Sequence, residues 1–167
     1  MTRSIIAPER RTPVIAEPDV LVVGGGPAGL GAACAAARHG ARTMLIEAYG
    51  CLGGTLTLVT LGGFCGTHAI IDDERLARVA GGLYLELEDR LAARDAVLPP
   101  RRHGRILGVP YESASLKTVA DEMTRAHDVR VLLHTSAVDV VTEGTRVTAV
   151  IVENKGGRSA IVPRMVI

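Results

Sequence analysis

Three glycines, Gly24, Gly26 and Gly29, fall in the spacing G-x-G-x-x-G, and Glu47 follows 18 residues after the last of them. Each residue type at that spacing has a task in holding a dinucleotide. The first glycine permits a tight turn, the second lets the backbone approach a pyrophosphate, and the third lets a helix lie close against a strand. Pro27 and Ala28 then open a helix, whose unbonded N–H groups and positive dipole end suit the phosphates. A carboxylate at Glu47 can accept hydrogen bonds from the ribose hydroxyls of an adenosine half. The same charge repels a 2′-phosphate, which argues against NADP. A few residues on, Gly53-Gly54-Thr55 combines two unhindered backbones with a hydroxyl, which suits a second phosphate contact. A plain turn accounts for that triplet equally well.

Such spacing carries meaning only if a strand, a turn and a helix bear it. Asp19 to Val23 is an apolar, β-branched run that suits a buried parallel strand. Ala28 to His39 is alanine-rich, with high helix propensity and little bulk, and Gly40 supplies the stop. Thr43 to Ile46 reads as a second apolar strand that delivers Glu47 at its end. With all four parts in place, dinucleotide binding outweighs a purely structural glycine turn.

Composition sets outer limits. The 167 residues suffice for one domain with a substantial core, and 47% hydrophobic content excludes disorder. Apolar runs are interrupted too early for a transmembrane helix, so no membrane partner is expected. A net charge of +1 and only 2% aromatics give no reason to expect nucleic acid. Cys34, Cys51 and Cys65 show no CxxC spacing, which fits a reducing cytoplasm and neither a disulfide framework nor a zinc site. Cys34, inside the first helix, reads as a small buried residue. His39, His103, His127 and His134 have no partner pattern, and no metal site is expected. Residues 1–18, with three arginines and no apolar core, read as an exposed N-terminal arm without a secretory signal.

Beyond Glu47 the order of elements departs from a simple alternation. Tyr49 to Ala69 is glycine-rich, uncharged and apolar, and reads as an irregular loop buried against a ligand. Asp72 to Val79 reads as exposed. Leu83, Leu87 and Leu91 recur every four residues with Glu86, Asp89 and Arg90 opposite, the pattern of an amphipathic helix. Arg101, Arg102, His103 and Arg105 read as a solvated loop, with anion binding as the alternative. A helix is expected from about Ala114 to Ala126, capped by Ser113 or Ser115. Val129 to Leu133 is the expected third parallel strand. Ala137–Thr142 and Arg146–Glu153 flank a hairpin turn, Ser159–Val162 adds a third meander strand, and Met165–Ile167 begins another apolar strand. The third parallel strand thus comes more than eighty residues after the second, and an antiparallel excursion follows it. Nicotinamide dehydrogenase domains join their strands by short helices; this order suits a flavin-binding version of the fold.

These segments together resemble the two-dinucleotide-binding-domain flavoproteins, specifically the FAD-dependent oxidoreductase family whose nucleotide half is related to fumarate reductase flavoproteins. The resemblance rests on DVLVVGGGPAGLGAACAAARHGARTMLIE, CLGGTLT, FCGTHA, GGLYLELEDRL and the stretch from Val129 to Ile167. It implies an α/β, Rossmann-like FAD-binding fold: a parallel sheet, a large insertion after the second strand and a three-stranded antiparallel meander. Residues 19–167 would form that FAD-binding domain. It implies that Gly24, Gly26 and Gly29 form the pyrophosphate turn and that Glu47 binds the adenosine ribose. Gly53, Gly54 and Thr55 would lead past the pyrophosphate toward the flavin. The Val138 backbone would meet the adenine edge, with an ordinary strand residue as the alternative. In this family an A-T-G-D-G-D-like strand end follows the meander. Here the sequence stops where that motif would begin, so the expectation is the N-terminal portion of a longer enzyme. The implied reaction moves a hydride, or two electrons, between an unknown small-molecule substrate and the flavin. Cys65 and His68 are the reactive side chains in the loop expected to face the isoalloxazine: His68 as acid or base, Cys65 as an unpaired redox thiol, with plain packing as the alternative for both. The rival reading is a non-catalytic dinucleotide-binding module or subunit, completed by another chain; the partners considered are a complementing chain or a homo-oligomer.

Overall fold

A computed structural model of the chain describes residues 11–59, 61–72, 75–104 and 106–167. The parts of the expected arm at 1–10, of the charged stretch at 73–74 and of the basic run at Arg105 lie outside the described residues. The first half runs β1 (Val14–Ala16), β2 (Val20–Val23), α1 (Pro27–Arg38), β3 (Thr43–Ile46), a 3-10 turn (Gly54–Leu56), β4 (Gly63–Cys65), β5 (His68–Ile70), β6 (Leu76–Arg78) and α2 (Leu83–Ala92). Then follow β7 (Arg101–His103), β8 (Ile106–Pro110), α3 (Ser113–Ala126), β9 (Arg130–Leu132), β10 (Ser136–Glu143), β11 (Arg146–Asn154), β12 (Gly157–Ile161) and β13 (Met165–Val166).

The parallel sheet has the order β13-β2-β3-β9. The chain goes outward from β2 to β3 to β9 and then returns to the other side of β2, which creates a switch point at the end of β2. In open sheets of this kind, ligands bind in the crevice beyond such a point. The alternation of a strand explains how β2 and β3 serve two cores. Val20, Val22 and Leu45 point to the helix layer, with Leu30, Cys34, Leu116, Val119 and Met123. Leu21, Met44 and Ile46 point to the opposite face, against Val150, Val152 and Ile161 of the meander. The sheet is therefore sandwiched between α1–α3 and the antiparallel β10–β12, as the flavin-binding reading expects.

Four local readings are corrected. Val14–Ala16, placed in the exposed arm, is a strand that pairs parallel with β12, so the meander sheet has four strands. Tyr49–Ala69 is not wholly irregular, because β4 pairs with β8 and β5 with β6. Arg101–His103 of the basic run form one arm of the β7–β8 hairpin and not a loop. At α3 the cap is Glu112, whose carboxylate accepts from the Ser115 amide at 3.3 Å and from its hydroxyl. Ser113 is already helical. The aromatic residues of the insertion pack together: Phe64 stacks on Tyr111 at 4.2 Å between centroids and meets Tyr84 edge-on at 5.4 Å. The Tyr111 hydroxyl lies 2.9 Å from the Leu56 carbonyl and 2.6 Å from that of Leu61, which ties the 54–61 segment to the helix layer.

Candidate cofactor site

The site is built at the C-terminal end of β2. Gly24 leaves the strand with φ +104°, a left-handed angle that favours glycine, and its amide donates to the Ile46 carbonyl at 2.8 Å. Gly26 is the N-cap of α1. Space beside it is open, with no atom within 4 Å of where a Cβ would stand. Gly29 shows the opposite condition: a Cβ there would overlap the Gly24 carbonyl oxygen. Leu30 is the first helical amide to bond back, to Gly26 at 2.8 Å. The amides of Gly26, Ala28 and Gly29 are thus ahead of the intrahelical ladder, and Pro27 costs nothing because its missing N–H would lie there too.

Glu47 continues directly from β3 and is buried, with 7% exposure. Its Oε2 accepts from the Gly25 amide at 2.6 Å and its Oε1 from the Tyr49 amide at 2.8 Å. An ionised carboxylate has about four acceptor positions, so capacity remains for ribose hydroxyls. Gly53 and Gly54 are brought against the glycine turn. The Gly53 amide donates to the Gly25 carbonyl at 2.7 Å, and a Cβ on Gly54 would lie 2.8 Å from Gly26 Cα. Both have left-handed φ, +103° and +51°. Thr55 is exposed, whereas Thr57 is buried and its hydroxyl donates to the Leu52 carbonyl at 2.7 Å.

The segment after β9 closes on Glu47 and Tyr49. Thr135 donates its amide to the Glu47 carbonyl at 2.9 Å, and His134 donates its own to that of Tyr49 at 3.1 Å. Val138, three residues on, lies at the irregularity in the β10–β11 ladder between Ala137 and Asp139, and is 42% exposed. Sequence reading missed Gly25, Gly50 and His134. His134 adopts φ +53°, and its ring lies where a Cβ on Gly50 would come within 2.7 Å. The one local signal was the third consecutive glycine in Gly24-Gly25-Gly26, beyond what the spacing requires. His134 is adjacent only through the tertiary fold.

Cys65 and His68 come together but elsewhere. They line a recess of about 430 Å³ with Gly66, Ile70, Ile106 and Leu107, and no residue from 24 to 29 lines it. Cys65 is exposed; His68 Nδ1 lies 3.1 Å from the Thr67 hydroxyl. Their expected place in an irregular loop is corrected: Cys65 ends β4 and His68 begins β5.

The turn therefore combines free amides at a helix start, an open approach at Gly26 and a buried carboxylate one strand over. That donor and acceptor set fits the ADP half of FAD. Solved structures with a similar fold include THI4 from Thermovibrio ammonificans, with a TM-score of 0.61, 18% identity, and coverage of 90% of this chain and 56% of that one. The 3-ketosteroid-delta4-(5alpha)-dehydrogenase from Rhodococcus jostii RHA1 gives a TM-score of 0.64 at 18% identity, covering 92% and 45%. The open conformation of a flavocytochrome c3 fumarate reductase gives 0.64 at 18%, covering 92% and 33%. Likeness at this identity is one of fold, and the chain spans from a third to just over half of these proteins' lengths. The sequence itself matches the family described as FAD dependent oxidoreductase over residues 19–167, which takes in the turn, Glu47 and all three layers. With that match over nearly its whole length, the chain belongs to the FAD dependent oxidoreductase family, and FAD is its cofactor.

Proposed function

We propose that this chain holds the ADP half of FAD in an enzyme that moves a hydride, or two electrons, between a small-molecule substrate and the flavin. The observation that carries this reading is the pairing of the open Gly26 turn with the buried Glu47 carboxylate. The first-turn amides of α1 bind the pyrophosphate, since a helix start presents unbonded donors and a partial positive charge. Glu47 accepts from the ribose hydroxyls with its remaining lone pairs. Val138, at a position where two residues face one across the ladder, offers main-chain groups to the adenine edge. Gly53, Gly54 and Thr55 pass beside the turn toward the flavin end. When bound, FAD supplies a reversible acceptor of two electrons at its flavin ring.

The test is to purify the protein, release its cofactor with acid and identify it, then add dithionite anaerobically. Released FAD and a bleached flavin spectrum support the reading. Tight NAD with no FAD would sink it. A bound flavin that no substrate can reduce would instead favour the non-catalytic module. Cys65→Ser and His68→Ala, compared by substrate-dependent flavin reduction, decide whether the 430 Å³ recess belongs to the reacting end. Reduction rates unchanged in both variants would assign those side chains to packing.

A further inference from the structure

Gly25 lies between two pattern positions of the G-x-G-x-x-G turn, yet its peptide groups are gripped from both sides. Its amide donates to Glu47 Oε2 at 2.6 Å, and its carbonyl accepts from the Gly53 amide at 2.7 Å. It is buried, and a Cβ on it would stand 2.5 Å from Leu52 Cδ2 and 3.2 Å from Glu47 Oε2. Glu47 is itself anchored, because its second oxygen accepts from the Tyr49 amide at 2.8 Å. All three bonds join groups of the protein itself.

Peptide planarity gives the bonds a consequence. In a trans peptide the C=O and N–H point in opposite directions. Holding the Gly25 carbonyl against Gly53 therefore aims the Gly26 N–H away from the 53–54 segment. Holding the Gly25 N–H against Glu47 likewise aims the Gly24 carbonyl the other way, and that oxygen is the atom against which Gly29 is packed. Three consecutive glycines have more backbone freedom than any other tripeptide, so an unheld turn would sample many orientations. A carboxylate acceptor on a buried amide is stronger than a neutral one.

We propose that Glu47 and Gly53 are positioning residues that clamp the Gly25 peptides and set the pyrophosphate-binding shape before the cofactor arrives. Glu47 thus contributes to affinity at the phosphate end as well as at the ribose. This rests on the cofactor-site reading above.

The experiment measures ADP and 2′,3′-dideoxy-ADP binding by calorimetry to the flavin-free protein, for wild type, Glu47→Gln and Glu47→Asp. The dideoxy nucleotide has no ribose hydroxyl for Glu47 to reach. The clamp requires both variants to weaken both nucleotides by about tenfold. Asp keeps the charge but is one methylene too short for Gly25. Val119→Ala, in the buried face of α3, should lower Tm and leave both affinities unchanged. In wild type the Gly25 amide proton should resonate downfield and exchange slowly, and should move upfield in Glu47→Gln. Loss for ADP with none for dideoxy-ADP would overturn the clamp and leave Glu47 as a ribose ligand alone. Equal affinity loss in Val119→Ala would overturn it too, since binding would then follow stability. A wild-type protein that binds neither nucleotide would remove the cofactor-site reading, and the clamp with it.

Discussion

Gly24 and Gly29 need glycine for different reasons. At Gly24 the reason is the backbone angle, φ +104°, with open space where a Cβ would be; at Gly29 it is space, because a Cβ would overlap the Gly24 carbonyl. Gly31, two residues on in the same helix, has neither constraint. Gly29→Ala should therefore destabilise the protein by about 1–3 kcal/mol through forced displacement of the turn, with loss of bound FAD. Gly31→Ala should stabilise it by about 0.5–1 kcal/mol, since alanine restricts the unfolded chain and suits a helix. Thermal melts and flavin content of the two variants check both signs. Cys34 is excluded from any reactive role on similar local grounds: burial, aided by the Glu86 charge, pushes its thiol up to about 11, so the thiolate is scarce near neutral pH.

Among elements, the starts of three parallel strands share one residue. Asp19 precedes β2, and its carboxylate meets the Arg42 guanidinium before β3 through two contacts of 3.0 Å and Arg164 before β13 at 3.5 Å. The hydrogen bond from Arg42 holds the Asp19 carboxyl at about 2, below its ordinary 3.8. A depressed carboxyl stabilises the fold above its unfolded value, and that contribution is lost as pH falls toward the folded one. Asp19→Asn should thus melt lower than wild type above about pH 4, with the gap closing between pH 4 and pH 2; a gap constant across that window would remove this role. The helices are joined by a comparable knot. Glu86 of α2 receives Arg38 of α1 at 2.6 Å, Arg90 at 3.0 Å and His127, at the end of α3, at 2.9 Å. These contacts tie the C-terminal ends of α1 and α3 to α2.

At the scale of the molecule, β2 and β3 belong to both cores, because alternate side chains face the helices and the meander. Neither layer can separate without exposing the other's partner surface. Ile161→Ala, at a fully buried meander position, should cost about 2–5 kcal/mol. It should lower the urea midpoint equally by circular dichroism and by tyrosine fluorescence, although Tyr84 and Tyr111 lie in the helix-side core. Two separated transitions would show that the meander folds independently. The same sharing positions the cofactor site, since Asn154 of β11 donates to Thr135 at 3.3 Å, and Thr135 in turn bonds to Glu47.

The glycine spacing, Glu47 and the order of strands and helices were legible in the chain because they depend on local rules: period-2 and period-3.6 patterning, helix propensity and the absence of a Cβ. FAD was also legible, from the long insertion after Glu47, the Gly53-Gly54-Thr55 segment and the antiparallel meander, whereas the charge of Glu47 argued only against NADP. What the chain could not reveal was set by neighbours distant in sequence. Gly25 is an unspecified position in the pattern until Glu47 and Gly53 close on it from 22 and 28 residues away. Val14–Ala16 is polar-flanked and short, and is a strand only because β12 offers it an edge. Arg101–His103 has little strand propensity and pairs because β8 is already held by β4. Cys65 and His68, neighbours in the sequence of the insertion, are directed by two hairpins into a recess away from the glycine turn. Backbone pairing and close approach are properties of two segments at once, and for that reason they were decided in the tertiary structure.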